Sequence, residues 1–215
     1  MTKLSRGAII PPVHRIAASF TWPFRAEITT WLGGAVAVLL LPVAFVPLLG
    51  YAIAVTREAA RDPWRKPPAW ELSTGLVADG FWTAVAVALT IAPFAVAFTA
   101  LTHILDGIGL VVAFFVLALS WGLVALTVLP HATAAFAATG RPRDLFDVVA
   151  SLRGVRRDFA TWNVVCAAIV TAWAIGVACA ALVWVGILPG IFYAILVSAH
   201  ATAALHRNSA HLPAR

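Results

Sequence analysis

The stretch from Trp31 to Val55, WLGGAVAVLLLPVAFVPLLGYAIAV, decides how this chain is threaded. It holds no charged side chain, which is the composition of a membrane segment, for which about 20 apolar residues suffice. It also carries Pro42 and Pro47, and each proline removes a helix hydrogen bond and disfavours helix at the residue before it. Limbs of about 10 to 13 residues on either side reach only about 15 to 20 Å, against a hydrocarbon layer of about 30 Å. The flanks give a second reason to expect a turn. Lys3, Arg6, Arg15 and Arg25 precede the stretch, and Arg57, Arg61, Arg65 and Lys66 follow it. A single crossing would put these groups on opposite sides, against the bias of Lys and Arg toward the cytoplasm. The expectation is a re-entrant or broken helical hairpin. An ordinary kinked span is the alternative, because proline is common in membrane helices.

Four further apolar segments lie outward from this one: Phe81 to Leu101, Gly109 to Leu129, Val164 to Val185 and Leu188 to Leu205. The connections inside the second-to-third and fourth-to-fifth pairs are short and contain no Lys or Arg. All fifteen Lys and Arg residues fall instead before the first segment, after it, between Arg141 and Arg157, or after the fifth. The positive-inside rule then directs the short turns outward and both termini to the cytoplasm. Composition agrees, with 62% hydrophobic and 11% charged residues among 215 and a mean hydropathy of +0.93, where a soluble domain carries about 25% charged residues. The fold class expected is an all-α integral membrane protein forming one multi-pass domain over residues 1–215. It has four transmembrane helices plus an N-terminal re-entrant or broken hairpin, or five transmembrane helices in the alternative. The N-terminus lacks a signal-peptide apolar core of adequate length, because Pro11, Pro12, His14 and Arg15 interrupt it.

The net charge of +6 could suggest nucleic acid. The basic residues are spread between apolar runs rather than gathered in a polar domain, so nucleic acid is not expected and anionic lipid is. Residues 141–160 carry the clearest lipid pattern. Leu145, Val148, Val149, Leu152, Val155 and Phe159 recur near helical spacing, with Arg153, Arg156 and Arg157 toward the end. This reads either as a cytoplasmic amphipathic helix lying on an anionic leaflet, its three arginines being lipid-binding residues, or as a connector docked on the bundle. Trp31, Trp82 and Trp162 read as membrane boundaries, and Trp64 and Trp70 as headgroup-level anchors. Gly176 permits close helix approach.

The pentapeptide HATAA occurs twice, beginning at His131 and at His200. Each histidine lies roughly 10 to 14 Å from the basic end of its segment, so the pair are candidates for a haem, metal or proton site. With no nearby Cys, Asp or Glu they make a poor first coordination shell, and a structural role for both is the preferred reading. No metal centre is expected. The repeat is more simply the common ending of two similar hairpins. His103 and Asp106 in the first short turn read as solvated. No nucleophile elbow, phosphate loop, HExxH or CxxC motif occurs, so no catalytic residue is assigned and an enzyme is not expected.

Short features along the chain carry a family resemblance: Trp22-Pro23-Phe24, Gly33-Gly34, Pro42, Gly50-Tyr51, Arg57, Pro68, Trp70, Glu71 and Asp79-Gly80, then Thr139-Gly140, Phe146 and Phe192-Tyr193. In these the chain resembles an uncharacterised prokaryotic family of multi-pass membrane proteins, the domain of unknown function numbered 4013. The resemblance implies a membrane fold and no catalytic residue. The segment Val43-Ala44-Phe45-Val46 departs from it by offering no polar residue at the first turn. The function expected is that of a non-enzymatic accessory or lipid-interacting component of a prokaryotic cell membrane, with a membrane-protein partner among its possible contacts and no cofactor. A transporter or channel subunit for an apolar or lipid-like substrate is the alternative, and a His-ligated haem or metal protein ranks behind both. No carboxylate lies in the five apolar segments, which weighs against ion-coupled transport.

Overall fold

The computed structural model describes residues 12–182 and 186–211, and every regular element among them is helical. In chain order these are α1 (Pro12–Ala17), α2 (Ile28–Leu39), α3 (Leu41–Arg61), α4 (Thr74–Thr102), α5 (Gly107–Thr139), α6 (Val148–Arg157), α7 (Phe159–Leu182) and α8 (Ile187–His211), with short 3-10 turns between some of them. Among the described residues α3, α4, α5, α7 and α8 are long and apolar enough to cross a membrane, whereas α2 is a shorter apolar helix. The chain is a multi-pass membrane protein.

The first apolar stretch breaks at Leu40, whose φ of −94° and ψ of 27° leave the helical region. Its carbonyl accepts from the amides of Val43 and Ala44, so a new helix starts at once. Pro42 lies in the first turn of that helix, where a missing N–H costs nothing, and Pro47 lies inside it. The limbs are therefore 12 and 21 residues long, because the second continues into the polar turn ending at Arg61.

Phe192 of α8 shows which way the second limb runs. A Cβ on Gly34 would fall 2.3 Å from the Phe192 ring, and the Tyr51 ring centroid is 5.9 Å from the same ring. Gly34 and Tyr51 are about 25 Å apart along a straight helix, so one ring reaches both only if α3 returns beside α2. The outer ends agree. Glu27 pairs with Lys66, Arg25 Nη1 donates to the Trp64 carbonyl at 3.1 Å, and Trp22 Nε1 donates to the Arg65 carbonyl at 2.7 Å. The start of α2 and the residues after α3 thus share one end of the bundle.

Two backbone-to-backbone crossings lock the helices. A Cβ on Gly50 would lie 1.9 Å from the Leu76 carbonyl oxygen, and one on Gly80 would lie 2.0 Å from that of Val46, so α3 and α4 approach as only paired glycines allow. Gly176 of α7 and Gly190 of α8 repeat the arrangement, each Cβ position 2.7 Å from the other's carbonyl oxygen. Helix α8 occupies the centre, with Phe192, Ala194, Leu196, Val197 and Ala201 fully buried. Helices α4 and α5 lie at the edge, and much of their apolar surface is exposed: Val96, Ile108, Phe115 and Leu119 are all at least 60% accessible.

Candidate functional site: the basic end of the bundle

The apolar helices end in polar turns, and packing brings several of those turns together. Arg57, in the last turns of α3, donates from Nε to the Ala137 carbonyl of α5 at 3.0 Å and from Nη2 to Asp79 of α4 at 3.0 Å. One half-buried guanidinium thereby ties three helices at the same level. Helix α4 starts before the apolar run that begins at Phe81, so it contains this carboxylate, and the arginine offsets its charge. At the end of α5, Gly140 takes a positive φ of 68° and its amide closes on the Phe136 carbonyl, the left-handed cap that glycine makes cheaply. The chain then turns through Pro142–Leu145 into α6.

Residues 141–160 do not form one helix. A 3-10 turn covers Pro142–Leu145, the Asp147 carboxylate caps α6 by accepting from the Ala150 amide at 2.8 Å, and Asp158 separates α6 from α7. The apolar residues read as one face divide accordingly. Leu145 is buried with Ile53, Ala86, Phe136 and Ala137, while Val155 is buried with Ala134 and Trp162. Val148, Val149, Leu152 and Phe159 remain exposed, and so do Arg153, Arg156 and Arg157. Helix α6 therefore docks through one face and presents exposed apolar and basic side chains on the rest.

The two HATAA histidines go to different surroundings. His200 is buried, its Nδ1 2.7 Å from the Ser19 hydroxyl, its Nε2 3.1 Å from the Pro63 carbonyl, and its ring centroid 4.6 Å from that of Trp22. A carbonyl can only accept, so Nε2 carries the proton and Nδ1 accepts from Ser19. His131 packs against α6 instead: a Cβ on Gly154 would lie 2.7 Å from its Nδ1. Its Nε2 is buried without a hydrogen-bond partner. Among the described residues no group of three or more His, Cys, Asp or Glu is placed to hold a metal ion. His103 and Asp106 are exposed between α4 and α5.

Two cavities open at this end. One, of about 400 Å³, is lined by Arg57, Arg61, Thr139, Gly140 and His206 among others. The other, of about 310 Å³, is lined by His131, Arg141, Asp144, Asp147 and Ser151, and shares Thr139 and His206 with the first. Neither cavity is legible in the sequence, where Arg57 stands as a topological charge and a feature of the family resemblance, Arg61 as a topological charge alone, and His206 lies beyond the second HATAA. The one legible signal was the i, i+4 spacing of two arginines at the end of an apolar run.

Two of the tryptophans expected at the membrane boundary are held by protein contacts. Trp162 is 9% exposed and donates to the Leu126 carbonyl at 3.0 Å. Trp70 stacks on Tyr51 at 4.4 Å between ring centroids, while the Tyr51 hydroxyl donates to the Pro68 carbonyl at 2.8 Å. Both indoles serve packing, whereas Trp64 and Trp82 remain exposed.

These features define a helical multi-pass membrane protein whose polar side chains gather at one end of the bundle. Over residues 34–187 the chain matches the family described as protein of unknown function (DUF4013), and it belongs to that family. No curated protein and no solved structure matches it. Several of the residues that carry the resemblance are contact points of the fold: Gly34 under Phe192, Gly50 against α4, Gly80 against α3, Tyr51 on Trp70 and Arg57 on Asp79.

Proposed function

We propose that the protein is a non-enzymatic, lipid-interacting component of a prokaryotic cell membrane, with the basic end of the bundle and both termini on the cytoplasmic side. The observation that carries this reading is α6, on which exposed Arg153, Arg156 and Arg157 accompany exposed Val148, Val149 and Leu152. That combination suits the boundary between acyl chains and anionic headgroups, where each basic residue contributes about 1 kcal/mol. On this reading the α2–α3 hairpin enters the bilayer and returns on the same side, supported by the pairing of Glu27 with Lys66 beside Arg25 and Arg65. The test is the variant with Arg153, Arg156 and Arg157 all replaced by Gln. It is expected to stay folded and to lose enrichment of anionic lipid, of any headgroup, around the purified protein. Unchanged enrichment would make α6 a docked connector and remove the basis of the proposal.

A further inference from the structure

We propose that the two neighbouring cavities between α3, α5, α6 and α8, which share Thr139 and His206 in their walls, form one binding site for a phosphate ester bearing hydroxyl groups, the chemistry of a phosphoglycerol headgroup. This rests on the lipid-interacting reading and goes beyond it, because it names a defined site away from the three α6 arginines. The first chamber is lined by Arg57, Arg61 and His206, and no carboxylate is among its described lining residues. Arg57 is held in place by Asp79 and the Ala137 carbonyl. The Arg61 side chain is 71% exposed and meets Glu58 only at 3.8 Å, so its guanidinium is free to turn onto an anion. Two guanidiniums and an imidazole suit a phosphate, which arginine binds through paired N–H donors.

The second chamber has a different character. Asp144 accepts from Thr139 Oγ1 at 2.5 Å and sits 3.4 Å from Arg141, and Asp147 caps α6. These carboxylates repel a phosphate and accept hydrogen bonds from hydroxyls. Ser151 is 4% exposed in the same wall, and His131 contributes its buried, partnerless Nε2. A polar atom buried without a partner is costly, and turning the His131 ring, which lines this chamber, onto a ligand hydroxyl satisfies it. Arg57 and Arg61 in one chamber, and Asp144 and Asp147 in the next, where Arg141 is paired with Asp144, fix the ligand's direction, with the phosphate at Arg57, Arg61 and His206 and the hydroxyls toward Ser151 and His131. A lipid headgroup and a soluble glycerol phosphate share this chemistry.

The full chain in phosphatidylcholine nanodiscs containing equal fractions of phosphatidylglycerol and phosphatidylserine separates the possibilities. Both lipids carry the same net charge, so surface attraction alone retains them equally. Native mass spectrometry is expected to find phosphatidylglycerol retained in preference to phosphatidylserine. The Arg61→Gln/His206→Gln variant should retain it about tenfold less, the loss of charge-assisted hydrogen bonds. The triple α6 variant should keep the preference even as it loses bulk anionic lipid. Glycerol phosphate added to discs of phosphatidylcholine alone reports the source: thermal protection of the wild type that is absent in the double variant identifies a soluble ligand, and no protection alongside phosphatidylglycerol preference identifies the lipid. Equal retention of the two lipids by the wild type, or a double variant indistinguishable from it, would overturn the site while leaving the α6 reading standing. If the double variant fails to fold, Arg61→Gln alone carries the test, since its side chain supports no packing.

Discussion

The quarter of the molecule built by α2, α3 and α8 and the hairpin built by α4 and α5 are both apolar, and they use that apolarity in opposite ways. In the first, more than half of the apolar window of α8 is buried, and in the second none of the α5 window is. The buried region spends its residues on shape: Gly34 admits Phe192, Gly50 admits the α4 backbone, and Tyr51, Trp70 and Phe192 meet edge and face. The exposed hairpin presents Val, Ile, Leu and Phe over most of its apolar length, joined by a hydrogen bond from Trp121 Nε1 to the Thr90 carbonyl and anchored to α3 at Gly80 and Asp79. Hydrophobicity therefore says which residues enter the membrane, while glycine and aromatic placement says which ones meet protein there. In a bilayer that distinction is expected, because lipid solvates apolar side chains as well as protein does and association depends on fit.

The sharpest way to break this contrast is a pair of phenylalanines. Phe192→Ala in the buried region should destabilise the protein by about 3 to 5 kcal/mol through the cavity left among Gly34, Tyr51 and Trp31. Phe115→Ala, on a side chain 60% exposed, should cost under about 0.5 kcal/mol. Denaturant unfolding in detergent measures both, and equal losses would erase the distinction between the regions. A smaller effect is expected from adding one methyl group. Gly50→Ala forces α3 and α4 apart and should cost about 1 to 3 kcal/mol, whereas Gly122→Ala meets nothing within 4 Å and should be neutral or stabilising by up to about 1 kcal/mol. The smallest effect tests the outer ends of the α2–α3 hairpin. Lys66 holds the Glu27 carboxyl below its ordinary value of 4.5, so the pair contributes above that pH and its contribution is lost as pH falls through the lowered value. The melting temperature should decline less between about pH 5 and pH 3 in Glu27→Gln than in the wild type, and about 1 M salt should remove the difference.

What the sequence made legible follows the same division. The apolar runs, the short turns around Asp106 and Gly186, and the break in the first stretch are written in hydropathy and proline, which act locally. The pairing of Gly50 with Gly80 and of Arg57 with Asp79 is not, because a helix that is apolar all round has no periodic stripe to show which face meets protein. The two HATAA copies illustrate the limit: identical pentapeptides place one imidazole between Ser19 and Pro63 and the other against Gly154. The expected helix over 141–160 failed for a local reason that composition did disclose. Pro142, Asp147 and Asp158 stand where the backbone changes direction, and aspartate ahead of an apolar turn is a start signal that the apolar spacing alone passes over.

The position of His200 has a consequence for biosynthesis. Its imidazole joins Ser19 before α2 to Pro63 after α3, and eight residues earlier Phe192 fills the gap between those helices. While the chain emerges from the ribosome, the α2–α3 hairpin must wait for α8, with more than a hundred intervening residues already inserted. During that interval Tyr51 keeps Trp70 and the Pro68 carbonyl, but Gly34 and the face of Tyr51 turned toward α8 lack the Phe192 ring. A nascent chain halted before Ile187 should therefore expose this hairpin to membrane-bound quality-control proteases, and release through α8 should close that window in a single step.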